Sequence, residues 1–172
     1  MQINFNIENF LDLTGYEETR KDRRKNSEIN SQEFFTPYSI VKRMCDKVSE
    51  RDWADPDKTF LEPSQGHGQF TIFILYRRIH EYNIPWRKAL ENMYTCELME
   101  DNVQESRQRV HELLRNIAPD YDPIIADEIM DKNFVCSDFF KWDFENWCEK
   151  KEESKKIKKK IKKTSKQLEI EF

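Results

Sequence analysis

Three short apolar segments, each closing on or beside an acid, constrain this 172-residue chain most: TFLE at 59–62, MYTCE at 93–97 and NFVCSD at 133–138. Between the first two lie a helix-length run from about Gln69 to Tyr82 and a shorter one opened by Pro85. Between the second and third, EDNVQESRQRVHELLRNI carries Val103, Val110, Leu114 and Ile117 as an apolar stripe. Strands alternating with helices of this length predict an α/β fold with a parallel sheet and crossover helices. Upstream, FFTPYSIVKRMCDKV reads as a helix start, with Thr36 as N-cap and Pro37 at the first helical position. Ile40, Val41, Met44 and Val48 recur there at helical spacing, which predicts one buried face.

In open parallel sheets, ligands bind at the carboxyl ends of the strands. That is where Glu62, Glu97 and Asp138 fall. The chain has only three glycines, and two of them, Gly66 and Gly68, sit within FLEPSQGHGQF directly after the first strand. Glycine is used where backbone takes a positive φ or something must approach it closely. A carboxylate ending the second strand suits a ribose diol. Asp138 with Phe139 suits an adenine amino group and ring. Together they describe an adenosyl pocket with no need for phosphate-binding positive charge. Each acid taken singly fits a helix N-cap equally well.

Composition narrows the class. Charged residues make up 36% of the chain and aromatic residues 13%, which argues against general disorder. No apolar run reaches membrane-spanning length, and the N-terminus lacks the layout of a signal peptide, so a cytoplasmic protein with no membrane contact is expected. Cys45, Cys96, Cys136 and Cys148 have no paired spacing and read as reduced, buried thiols. The net charge of −4 hides an asymmetry: residues 149–172 hold ten lysines against five glutamates, and the remainder is acidic. If the chain meets nucleic acid, the contact is expected to be local, through the tail or through RKDRR at 20–24, and a solvated, frayed helix is the favoured reading of the tail. Residues 1–33 read as a polar, irregular or partly helical arm, residues 34–148 as the folded domain and residues 149–172 as a lysine-rich tail.

FFTP at 34–37, FLEPSQGHGQF at 60–70, CELMEDNV at 96–103 and VCSDFF at 135–140 resemble, in that order, the S-adenosyl-L-methionine motifs of DNA adenine-N6 methyltransferases. The resemblance covers about residues 33 to 140 and implies a Rossmann-like methyltransferase fold, truncated after its third strand. It implies that Phe35, Thr36, Pro37, Glu62, Pro63, Ser64, Gly66 and Gly68 line the cofactor's methionine side. Glu97 would bind the ribose, Leu98 would lie against the adenine, and Asp138 with Phe139 would hold the adenine. His67 stands where the family often has Asn or another small polar residue, and reads as a turn residue. The family's Asn/Asp-Pro-Pro-aromatic segment, which receives the flipped target adenine, is absent; NIPW at 83–86 precedes the second strand and opens a helix. No catalytic residue is therefore assigned. Two expectations stay open: a cofactor-binding chain completed in trans by a catalytic or target-recognition subunit, and a non-catalytic binding module. A small-molecule methyltransferase fits less well, because the FTP segment is characteristic of the DNA enzymes.

The tail ends on QLEIEF. Leu168, Ile170 and Phe172 alternate with polar residues, which suits a short strand on the open edge of the first strand. Gln167, Leu168, Ile170 and Phe172 also resemble the peptides that dock on sliding clamps, behind a lysine-rich tether. Chance is the third reading of six residues this degenerate.

Overall fold

The computed structural model describes residues 5–12 and 36–147. Its elements run α1 (Ile7–Leu11), α2 (Tyr38–Cys45), α3 (Glu50–Ala54), β1 (Phe60–Glu62), α4 (Gln69–Tyr76), α5 (Trp86–Glu91), β2 (Met93–Glu97), α6 (Glu100–Ile117), α7 (Pro123–Asn133) and β3 (Phe134–Cys136). A π-helical turn at Arg77–Glu81 extends α4, and a 3-10 turn at Phe139–Lys141 follows β3. The three strands form one parallel sheet in the order β1-β2-β3. The predicted α/β class and parallel sheet are therefore present. β3 is the last strand among the described residues.

Register divides the sheet into two faces. Phe60 lies beside Met93 and Thr95 beside Phe134, so these residues share one face. Leu61 beside Tyr94 and Cys96 beside Val135 occupy the other. On the first face the helices build the main core, in which Ile72, Leu75, Leu90, Val110, Leu113, Leu114 and Met130 are buried with Met93 and Phe134. The second face carries a small cluster: Cys96, Val135 and Trp147, with Tyr94, Phe139 and Trp142 packed against them. Both faces of β2 and β3 are thus shielded, as parallel strands require.

Several local expectations shift. Pro37, not Thr36, is the cap residue of α2: its ψ of 150° is extended, and its carbonyl accepts from the Ile40 and Val41 N–H groups at 3.0 and 3.1 Å. No side chain caps this helix. Its buried stripe runs through Val41 and Cys45, with Ile40 and Val48 half-buried and Met44 turned out at 52% exposure. A four-residue step from Val41 reaches Cys45, which a thiol fills as a small apolar group. The arm expected at 1–33 begins inside the domain, because Ile7 and Leu11 of α1 belong to the main core. Helix α7 was not expected at all. Asp122 caps it, accepting from the Ile124 N–H at 2.9 Å, and Pro123 takes its first turn. That Asp-Pro pair is a readable helix start.

Of the cysteines, Cys45 and Cys96 are buried and free, and burial pushes their thiols up to about 12 and about 11. Such thiols stay protonated and unreactive. Cys136, the last residue of β3, is exposed, contrary to expectation. Cys148 lies outside the described residues. No helix among them is long and apolar enough to cross a membrane.

Candidate functional site

The carboxyl ends of β1 and β2 are joined by a backbone corner. After Glu62 the chain turns through Pro63 and Ser64, both exposed, and enters α4 through Gly66 at φ +51° and Gly68 at φ +79°. Both angles lie in the left-handed region that favours glycine. Gly68 caps α4 without a side chain, so the first turn keeps donors that no side chain satisfies. Gly68 also permits a close approach. A Cβ built on it would meet Ser106 Oγ of α6 at 2.5 Å and Ser106 Cβ at 3.2 Å. At this position the missing side chain serves packing between the corner and α6.

Glu97 closes the corner. It is buried, and its two carboxylate oxygens accept from Gly66 N–H at 2.7 Å and Met99 N–H at 2.9 Å. Its carbonyl accepts from Ser137 N–H at 2.8 Å, which draws the end of β3 to the same edge. Gln65 N–H donates to the Cys96 carbonyl at 3.2 Å and completes the lacing between loop and strand. Glu97 therefore ties together the glycine loop and the turn at Met99 through its carboxylate, and the end of β3 through its carbonyl.

Glu62 is in a different situation. Its carboxylate accepts from Ser64 N–H at 3.3 Å, and none of the salt bridges among the described residues involves it. Burial, and secondarily the Glu97 carboxylate, raise its pKa from 4.5 to about 7. The folded state therefore holds this proton more tightly than the unfolded chain does. The resulting stability is full below about pH 4.5 and is lost as pH rises through about 7. Glu62→Gln is expected to remove this slope. Thermal midpoints measured at about pH 5 and about pH 8 should then differ less in the variant than in the parent.

The remaining expected residues divide. Thr36 is half-buried, and its carbonyl accepts from Gln69 Nε2 at 3.3 Å, next to the glycine corner. Pro37 is exposed beside it. Leu98 is 61% exposed at the edge next to Glu97. Asp138 behaves as a cap: its carboxylate accepts from Phe140 N–H at 3.0 Å and pairs with Lys141 Nζ at 3.0 Å, which holds its pKa below the usual carboxylate range. Phe139 packs sideways into an aromatic group, 4.8 Å from Phe144 and 5.6 Å from Phe140 between ring centroids. Phe35, Gln167, Leu168, Ile170 and Phe172 lie outside the described residues.

Three residues at the corner were not anticipated. Gln69 is buried and its carboxamide nitrogen donates both to Leu11 O at 2.9 Å and to Thr36 O. Arg109 of α6 donates to His67 O at 2.7 Å and to Phe10 O at 3.3 Å. Ser106 meets Gly68 as described. Arg109 falls on the buried stripe of α6 with Ser106 and Leu113, three and four residues away. A charge inside an apolar stripe is a signal that the sequence offers. His67 is buried with its carbonyl held by Arg109, which agrees with the turn role expected for it.

The fold and the corner together define an α/β domain with a three-stranded parallel sheet and a glycine-containing turn at its carboxyl edge. Compared with protein-family models, with curated proteins and with solved structures, the chain matches none. Among the described residues, no group of His, Cys, Asp and Glu could hold a metal ion.

Proposed function

We propose that the chain binds S-adenosyl-L-methionine at the glycine corner, in the manner of the cofactor half of a Rossmann-like DNA adenine-N6 methyltransferase. The observation that carries this reading is the hydrogen bond from Gly66 N–H to Glu97. It gathers Glu62, Gly66, Gly68, Glu97 and Leu98 at one carboxyl edge, where parallel sheets hold ligands. In this reading the ribose hydroxyls approach Glu97, the adenine packs on Leu98, and the methionine end lies along residues 62–68 with Thr36 nearby. Glu62 is the residue that a cationic ligand group would hold ionised. Methyl transfer to a DNA adenine needs a catalytic loop supplied by another chain, with positioning of the amino nitrogen against the sulfonium methyl as the source of rate.

A second reading is a non-catalytic binding module derived from such a fold. The observation that favours it is that Glu97 and Asp138 already accept hydrogen bonds from their own backbone. A ligand must share Glu97 with Gly66 and Met99. DNA and a sliding clamp, the latter through Gln167, Leu168, Ile170 and Phe172, are the partners this module would have.

Calorimetric titration with S-adenosylmethionine tests the cofactor reading. Because Leu98 is exposed, Leu98→Glu should leave the thermal midpoint nearly unchanged while weakening binding about tenfold or more, by placing charge where the adenine packs. Glu97→Ala is expected to act twice. It removes the ribose acceptor, and it strands two corner N–H groups at a stability cost of about 1–3 kcal/mol. A chemical denaturation series should detect that loss with no ligand present. Absence of saturable binding at millimolar ligand by the parent chain overturns the cofactor reading.

A further inference from the structure

We infer that Gln69 and Arg109 are positioning residues that couple the docking of residues 5–12 to ligand occupancy of the glycine corner. The inference rests on the cofactor reading above and adds a regulatory consequence to it. Two independent clasps join the same two parts of the chain. Gln69, the first residue of α4, spans from the corner to Leu11 O at 2.9 Å and to Thr36 O at 3.3 Å. Arg109 reaches from α6 to His67 O, between the two glycines, and to Phe10 O; its guanidinium also lies 5.6 Å from the centroid of the Phe10 ring. The carbonyls on both sides of residues 13–35 are thus anchored to one corner, over sequence separations of 33 and 58 residues.

The chemistry makes these clasps conditional. A backbone carbonyl paired by a buried side chain costs free energy when the partner withdraws, so a corner held in one conformation holds α1 with it. Helix α1 has only five residues and cannot persist by its own hydrogen bonds. Its docking depends on Ile7 and Leu11 in the core, on Phe10 beneath Arg109, and on these carbonyl contacts. A ligand that fixes the backbone at 66–68 therefore also favours docked α1, and by thermodynamic reciprocity docked α1 favours the ligand by the same factor.

Hydrogen exchange of the full chain, with and without saturating S-adenosylmethionine, reads this directly. Exchange within residues 5–12 is expected to slow by about tenfold on ligand addition in the parent. In Gln69→Met, which keeps volume and removes the carboxamide, the ligand should still bind while that protection is lost. Phe10→Ala, which removes the half-buried ring beneath Arg109 and keeps the residue 10 carbonyl, should weaken ligand binding by a similar factor with the exchange of β2 unchanged. This variant keeps the test available if Gln69→Met does not fold. Ligand binding that leaves exchange at 5–12 unaltered, together with full affinity in Phe10→Ala, overturns the coupling and leaves the cofactor reading intact. No ligand binding by the parent overturns the cofactor reading, and the coupling with it.

Discussion

Gly68→Ala is expected to lower the unfolding free energy by about 2–5 kcal/mol, from two physical sources that can be separated. The first is backbone. Gly68 sits at φ +79°, where an L side chain costs about 1–2 kcal/mol. The second is space. The new methyl would sit 2.5 Å from Ser106 Oγ and 3.2 Å from Ser106 Cβ, and relieving such a contact inside a packed interface costs about 1–3 kcal/mol. Ser106→Ala removes the nearer contact and leaves both the backbone term and the Cβ contact. The double variant should therefore recover part of the loss and not all of it. A double-mutant cycle by chemical denaturation measures the split. Full recovery in the double variant would assign the whole cost to the contact and none to the backbone.

Trp53→Ala is expected to cost about 3–5 kcal/mol, because a fully buried aromatic side chain leaves a cavity that its neighbours only partly fill. Trp53 lies at the amino end of β1, away from the glycine corner. Its ring stacks on Phe60 at 5.1 Å, and the Arg77 guanidinium lies 4.9 Å from its centroid. Arg78, also buried, donates to the Asp55 and Pro56 carbonyls and lies 5.1 Å from the Phe60 centroid, which closes the turn into the strand. Thermal and denaturant unfolding should both report the loss. If the variant is measured below its unfolding transition, its ligand affinity should stay near that of the parent, since the rings and guanidinium packed on Trp53 are those of Phe60, Tyr82 and Arg77. A large affinity loss in a fully folded Trp53→Ala chain would mean that the two ends of β1 are energetically connected.

These two substitutions mark the division of labour along β1. The amino end is a stack of aromatic rings and arginines. The carboxyl end is backbone, glycines and carboxylates. The second pattern was readable because it is local: a strand ending in an acid, two glycines, then a helix. The strand at Met93–Glu97 and the helix at Glu100–Ile117 fell where the apolar pattern put them, because period-two and helical spacing are properties of neighbouring residues. Helix α7 has an equally local Asp-Pro start, but α6 by itself supplies the crossover from β2 to β3, so the alternation of strands and helices does not require it. The inward face of α2 was misjudged by one residue because Met44 and Cys45 satisfy the same spacing, and only the core decides which of them enters.

Alternation of strands and helices, acids at strand ends and a glycine turn are determined by the sequence alone, since each needs only a few consecutive residues. The partners of those acids are not. Glu97 meets Gly66 across 31 residues, Gln69 meets Leu11 across 58, and Arg109 meets Phe10 across 99. Asp138 instead turns to its own loop. Hydrogen bonding is directional and short in range. A carboxylate can therefore be placed at an edge from its position in the chain, but which N–H groups lie within 3 Å of it is decided only when distant segments pack together.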